Sequence, residues 1–250
     1  METFLIIVVG IAVVIGLVGL ISKENNSPKV QASRQDVEDE DDDRWQDGPN
    51  VLPRIERGES VENFSKRRRQ MAINWAKKVL DQKDKYVILD TETTGLGEND
   101  VIIQLAVIDI EGNPIINTLI KPSKRKRIST ESTEIHGIKI GDLKDAPTLL
   151  EIVDELEAAV KGKKAIIYNA EFDERMLFQT MIQDDFRKFI KFRMNCAMKH
   201  YAAFVGQYSE YHGDFKFQRL PGGDHTAGGD CLATLEVIKK MAMYEEPIED

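Results

Sequence analysis

Asp90 and Glu92 stand two residues apart at the end of the apolar run Tyr86-Val87-Ile88-Leu89. On an extended strand, residues i and i+2 share a face. The spacing therefore puts two carboxylates into one small volume. Like charges that close repel unless a cation lies between them, and a donor set made only of oxygen suits Mg²⁺ or Mn²⁺. Two acids at a strand end also describe a solvated edge, so the pair alone decides nothing. A third carboxylate, Asp173, follows a second apolar run in Asn169-Ala170-Glu171-Phe172-Asp173. It falls in the first turn of an expected helix near a strand end, where open α/β sites lie. The alternative for an isolated Asp there is a partner for the helix dipole. The third segment is His225-Thr226-Ala227-Gly228-Gly229-Asp230. Five residues advance about 500° around a helix, so His225 and Asp230 would not share a helical face. The expectation is Asp230 on the helix and His225 on a glycine-rich, mobile approach, Leu220 to Gly229. A neutral imidazole placed there is a reasonable general base.

The elements that must hold these residues are legible from periodicity. Tyr86–Asp90 reads as a buried strand. Val101–Ile110 and Ile115–Ile120 read as two more, joined by the turn Glu111-Gly112-Asn113-Pro114. Pro147 opens an expected helix reaching about Val160, with Leu149, Leu150, Val153 and Leu156 on one face. Lys164–Tyr168 is a further strand. Phe172–Ile182 is a helix with Asn169 placed to cap it, and a last helix runs from about Asp230 to Met243. Strands first, then strands alternating with helices, predict an α/β domain: a mixed sheet flanked by helices. Val61–Leu80 has helical spacing and is basic, through Lys66 to Arg69 and Lys77-Lys78. It would either face solvent or touch phosphates or an anionic membrane surface. Lys121, Lys124, Arg125, Lys126 and Arg127 form a second basic run, either a solvated loop or a track for a phosphate backbone. Phe215 and Phe217 are open to stacking or to core packing.

The N-terminal part has a different character. Phe4 to Ile21 is 18 residues without a charge, about 27 Å as a helix, close to the hydrocarbon thickness. No basic residue precedes it, and no small-x-small site follows closely, which favours an uncleaved anchor over a signal peptide. Lys23, Lys29 and Arg34 follow it, so the positive-inside rule places the rest of the chain in the cytoplasm. Next comes a segment holding six consecutive acids, Glu38 to Asp43. Self-repulsion keeps such a run extended, as a spacer or as a tail for a protein partner. The expected division is a transmembrane anchor over 1–22, an acidic disordered linker over 23–60 and a catalytic domain over 61–250. The net charge of −9 is no objection to a nucleic-acid partner. Residues 22–60 carry 11 acids against 6 bases, while residues 61–250 carry 31 against 28. Cys196 and Cys231 match no zinc spacing and make a poor disulfide framework, which favours a reducing compartment.

Taken together and in order, the motifs resemble those of the Asp-Glu-Asp-Asp-His (DEDDh) family of 3′→5′ exonucleases, which includes the proofreading subunit of bacterial DNA polymerase III and ribonuclease T. Ile88 to Leu96 is similar to its first motif, Tyr168 to Asp173 to its second, and His225 to Asp230 to its third. Ile135-His136-Gly137-Ile138 resembles a segment whose histidine lies by the substrate, with Glu131 five positions before it. The resemblance covers about Lys85 to Ala242 and implies a ribonuclease H-like fold. It implies two Mg²⁺ ions, for which Mn²⁺ can substitute. Asp90 would bridge them, Glu92 and Asp230 would help hold the first, and Asp173 would help position the second. It implies that His225 deprotonates the attacking water and that Thr93, Leu96, His136 and Asn169 hold the terminal nucleotide. The implied substrates are single-stranded DNA or RNA 3′ ends, and the products nucleoside 5′-monophosphates. A membrane-anchored binding or scaffold protein with a retired active site is the rival reading. The complete set of four acids and one histidine counts against it.

Overall fold

The computed structural model describes residues 54–186, 190 and 192–245. The expected anchor over 1–22 and most of the acidic linker lie outside them. Among the described residues, no helix is long and apolar enough to cross a membrane.

Strand β1, Tyr86–Thr93, is the axis of the domain. Its apolar half is buried on both faces, which only a covered central strand permits. β2 (Ile102–Ile108) and β3 (Pro114–Leu119) continue the sheet antiparallel on one side, while β4 (Lys164–Ile167) and β5 (Arg193–Cys196) run parallel to β1 on the other. The strand order is therefore β3-β2-β1-β4-β5, a mixed ribonuclease H-like sheet. Side chains alternate along β1. Tyr86 and Ile88 enter one apolar cluster, and Val87 and Leu89 enter the other. The first cluster is closed by α1 (Val61–Asp81), α5 (Ala197–Val205) and α6 (Ala227–Ala242). The second is closed mainly by α3 (Val153–Val160) and α4 (Ala170–Gln183).

Several boundaries differ from the sequence reading for identifiable reasons. α3 begins at Val153, six residues after Pro147. The Pro147 carbonyl accepts the Lys121 N–H, and Glu151 Oε2 accepts both the N–H and the hydroxyl of Thr148. These bonds hold an alternative turn where the helix was expected. Asn169 does precede α4 but makes no side-chain cap. The short helix α2 (Thr130–His136), α5, β5 and the hairpin β6–β7 (Tyr208–Ser209, Asp214–Phe215) went unread.

The basic helix is less basic at its surface than its sequence. Arg68 is 2% exposed, with its guanidinium 5.3 Å from the Phe64 ring and 5.4 Å from the Phe215 ring. Asp214 lies 3.7 Å from it. Arg67 pairs with Glu59, and Arg69 donates to the Phe204 carbonyl. Phe215 stacks on Phe64 and is core, while Phe217 is exposed.

Candidate active site

The tail of β1 carries the chemistry. Asp90 and Glu92 share a face with Ile88, so they project on the side closed by α6. The ladder between β1 and β2 shifts register between Glu92 and Thr93. Such a bulge bends the strand and re-aims the side chains beside it. Across the ladder from Glu92 sits Gln104, whose Oε1 accepts the Ala227 N–H at 3.0 Å. That bond ties the start of α6 to the sheet and delivers Asp230 to the acids of β1. Ligand oxygens of Asp90, Glu92 and Asp230 lie within 4.8 Å of one another.

Asp173 arrives from the other face of the sheet. It is buried in the first turn of α4, and Thr91, which alternates away from Asp90 and Glu92, donates its hydroxyl to Asp173 Oδ1 at 2.7 Å. The fourth carboxylate therefore stands beside the triad rather than within it, close enough to act on its charge. Burial, followed by Asp173, Asp230 and Glu92, pushes the Asp90 carboxyl well above the usual range. Burial and then Asp230, Asp173 and Asp224 push Glu92 up to about 8. Burial raises Asp173 to about 7 against the opposing hydrogen bond from Thr91. Among the described residues, none donates a hydrogen bond to the side chain of Asp90 or Glu92. Partly buried carboxylates normally collect such donors, so this arrangement of oxygens fits a hard divalent cation.

The histidine loop is built by side-chain-to-backbone bonds. Asp230 Oδ1 accepts the N–H groups of Asp224 and His225, at 3.0 and 3.1 Å. Asp224 Oδ1 accepts the N–H and hydroxyl of Thr226, and Thr226 in turn caps α6 by accepting from the Gly229 N–H. His225 is left exposed, in the left-handed region at φ +61°, a conformation uncommon for residues other than glycine. α6 begins three residues earlier than expected, so Gly228 and Gly229 lie in its first turn. Their role is close approach. A Cβ on Gly229 would come 2.0 Å from Asp224 Oδ1, and one on Gly228 would come 2.8 Å from Asn117 Nδ2. Asp224 escaped the sequence reading, although Asp-x-Thr before a helix is a recognisable turn signal.

The second histidine is held differently. His136 Nδ1 accepts the Ile138 N–H at 3.0 Å, so Nε2 carries the proton that reaches the Thr93 carbonyl at 3.2 Å. Both nitrogens are engaged, which leaves His136 unable to serve as a base. Burial, and next the neighbouring His225, lower its pKa. Thr93 gives its hydroxyl to the Gly95 carbonyl. Leu96 is 72% exposed on the rim, and Arg175 of α4 contacts its carbonyl at 3.4 Å. Asn169 is exposed at the head of α4, one turn before Asp173, and Glu131 is exposed on α2.

A five-stranded 3-2-1-4-5 sheet that gathers acids from β1, α4 and α6 defines a nuclease of the ribonuclease H-like class. Residues 87–238 match the exonuclease family model named for RNase T, and the chain belongs to that family, the DEDDh 3′→5′ exonucleases, which are phosphodiester hydrolases. An uncharacterized exonuclease, CP81, of Escherichia phage 186 is 35% identical over 183 residues, covering 67% of this chain and 92% of the phage protein. The PolC-type DNA polymerase III of Thermotoga maritima is 38% identical over 96 residues, covering 37% of this chain and 7% of the polymerase. The DNA polymerase III subunit epsilon of Escherichia coli is 29% identical over 99 residues, covering 36% of this chain and 40% of the subunit. The chain thus spans nearly all of the phage relative and less than half of either polymerase relative.

Proposed function

We propose that this domain removes nucleotides one at a time from the 3′ ends of single-stranded DNA or RNA, using two Mg²⁺ ions and releasing nucleoside 5′-monophosphates. The observation that carries this reading is the pair Asp90 and Glu92, which receive no donor among the described residues, set against Asp230 within 4.8 Å and beside buried Asp173. Two divalent cations held there would stabilise the entering and leaving oxygens of an in-line displacement. Asp90, central among the acids that perturb one another, is the residue suited to both positions. Glu92 and Asp230 complete one, and Asp173 serves the other. His225, exposed and held through its backbone N–H by Asp230, takes the proton of the attacking water on an imidazole nitrogen. His136, fixed against Thr93, bounds the terminal nucleotide with Leu96, Glu131 and Asn169. Asp230 Oδ1 accepts the N–H groups of Asp224 and His225, which fixes the backbone that carries the imidazole before substrate arrives.

The same reading includes a single-pass tether through residues 1–22, with the catalytic domain in the cytoplasm. It rests on the uncharged run Phe4–Ile21 and the cations that follow it. Retention of the full chain in membranes after salt washing, and its release by deletion of residues 1–22, is the expected result. A mature protein beginning near Ser33 would instead establish a cleaved signal.

The activity is tested with 5′-labelled DNA and RNA oligonucleotides and the full chain. Shortening in single-nucleotide steps with the label retained, nucleoside 5′-monophosphate as product, and loss of both in EDTA are expected. Immediate release of the label, internal cleavage, or an unchanged rate for Asp90→Asn would overturn the reading.

A further inference from the structure

The basic run after β3 has a definite place relative to the acids. Glu92 pairs with Gln104, and Gln104 with Leu119. Leu119 therefore lies two strands from Glu92 in the same row, about 10 Å away at the usual strand spacing. The chain then leaves the sheet, carries its cations through residues 121–127, and returns where the Ser129 N–H meets the Thr94 carbonyl at 2.8 Å. The returning end is thus anchored at the tail of β1, the leaving end lies two strands across from it, and α2 with His136 follows at once.

Within the segment, neighbouring cations are treated differently. Lys121 reaches the Lys144 carbonyl at 3.4 Å, and Lys124 pairs with Asp185 at 3.4 Å. Lys126 donates to the Asn99 carbonyl at 2.7 Å and also to the Gln183 side chain. Ser123 donates to Asp184. These contacts fasten the run to the β1–β2 connection and to the end of α4. Arg125 and Arg127 alternate with the tied lysines. Both are exposed, and among the described residues neither has a hydrogen bond or ion pair. The local acids, Asp184 and Asp185, already have other partners. Two exposed guanidiniums thus sit on a backbone fastened to the connection that follows the acids of β1, and the acidic centre itself would repel a polyanion.

We propose that Arg125 and Arg127 form a docking rail for the phosphate backbone of the nucleic acid, gripping internucleotide phosphates upstream of the bond being cut. The rail rests on the exonuclease reading above. It adds two exposed cations to a chain whose net charge is −9. Guanidinium suits this role because its planar fork meets phosphate oxygens in pairs. The contacts are to phosphate, so they favour no base sequence.

The test compares the full chain with the Arg125→Ala/Arg127→Ala double variant on two substrates. One is a single-stranded oligonucleotide. The other is the p-nitrophenyl ester of thymidine 5′-monophosphate, which fills the cleavage site and has no upstream phosphate. The expected result is a KM for the oligonucleotide raised about tenfold with kcat kept, and a salt slope reduced by roughly 1.4 for two lost single-strand contacts. Hydrolysis of the ester should be unchanged. An unchanged KM and salt slope on the oligonucleotide, with the ester still hydrolysed, overturns the rail alone. Equal losses on both substrates overturn it in favour of a structural role. Loss of binding to phosphatidylserine vesicles with normal oligonucleotide kinetics assigns the face to a membrane and also overturns it. A wild-type protein that hydrolyses neither substrate with Mg²⁺ overturns the exonuclease reading beneath it.

Discussion

Acids sit at both ends of the β1–β2–β3 sheet, in opposite electrostatic states. At the hairpin between β2 and β3, Asp109 accepts the N–H groups of Glu111 and Asn113 and the Asn113 side chain. Desolvation, the largest single influence, raises the carboxyl, but these bonds together outweigh it and hold it below its usual range. Its neighbour Glu111 pairs with Lys83 at 2.8 Å, which raises the lysine. At the other end, Asp90 and Glu92 have no donor among the described residues and are pushed upward by burial and by neighbouring carboxylates, Asp173 and Asp230 among them. The hairpin acids complete a turn and are satisfied by it. The acids of the site are assembled from three separate elements, β1, α4 and α6, into a state that only protons or cations relieve. That contrast separates a structural carboxylate from a functional one more sharply than residue type does.

The largest expected effect comes from exchanging the two kinds of acid. Asp90→Asn should lower the nuclease rate by about 10²–10³-fold or more with the domain still folded. Asp109→Asn should leave the rate unchanged and cost on the order of 1 kcal/mol of stability. Steady-state kinetics and denaturant titration of the pair decide it, and similar losses of activity in both would erase the distinction.

His225→Ala should reduce turnover by ~10²–10⁴-fold while Mn²⁺ binding, followed by its paramagnetic resonance, persists. A variant that has lost its metal would make His225 a ligand instead. Gly229→Ala is expected to act through the loop, since its methyl meets the Asp224 carboxylate. Turnover should fall by about 10-fold with KM little changed. Asp224→Ala combined with Gly229→Ala should do no more harm than Asp224→Ala alone, because the obstructed group is gone.

These experiments also mark what could be read before the structure. Asp90, Glu92, Asp173, His225 and Asp230 could be named as candidates because each lies in a short, local pattern beside an apolar strand or at a helix start. Strands β1 to β4 were legible for the same reason. Residues whose role depends on distant partners were not. Arg68 reads as surface charge within Lys66 to Arg69, yet its burial is set by Phe215, some 150 positions away. β5 is four residues long and α5 nine, too short for periodicity to separate from loop. The glycines before Asp230 read as mobility, whereas their reason is the approach of Asp224 and Asn117.

A smaller effect follows from proton linkage in metal-free protein. Glu92 titrates at about 8 when folded against an ordinary 4.5, and Asp173 at about 7 against 3.8. Between those values the unfolded chain has released protons that the folded chain keeps. Stability in EDTA should therefore fall as pH rises from about 5 to about 8, and saturating Mg²⁺ should flatten the trend. Denaturant titrations across that range check the sign.

The central claim is that the acids at the end of β1 are held in mutual repulsion for a divalent cation. The most direct measurement is the thermal stability of the wild type and of Glu92→Gln, each in EDTA and in Mg²⁺, near pH 8. The order should cross. The variant should be the more stable in EDTA, because one repelling charge is gone. The wild type should gain more from Mg²⁺, because ligand binding to the folded state adds stability in proportion to RT ln(1 + [L]/Kd). A variant less stable than the wild type in EDTA, or equal gains from Mg²⁺ in both proteins, would contradict the account.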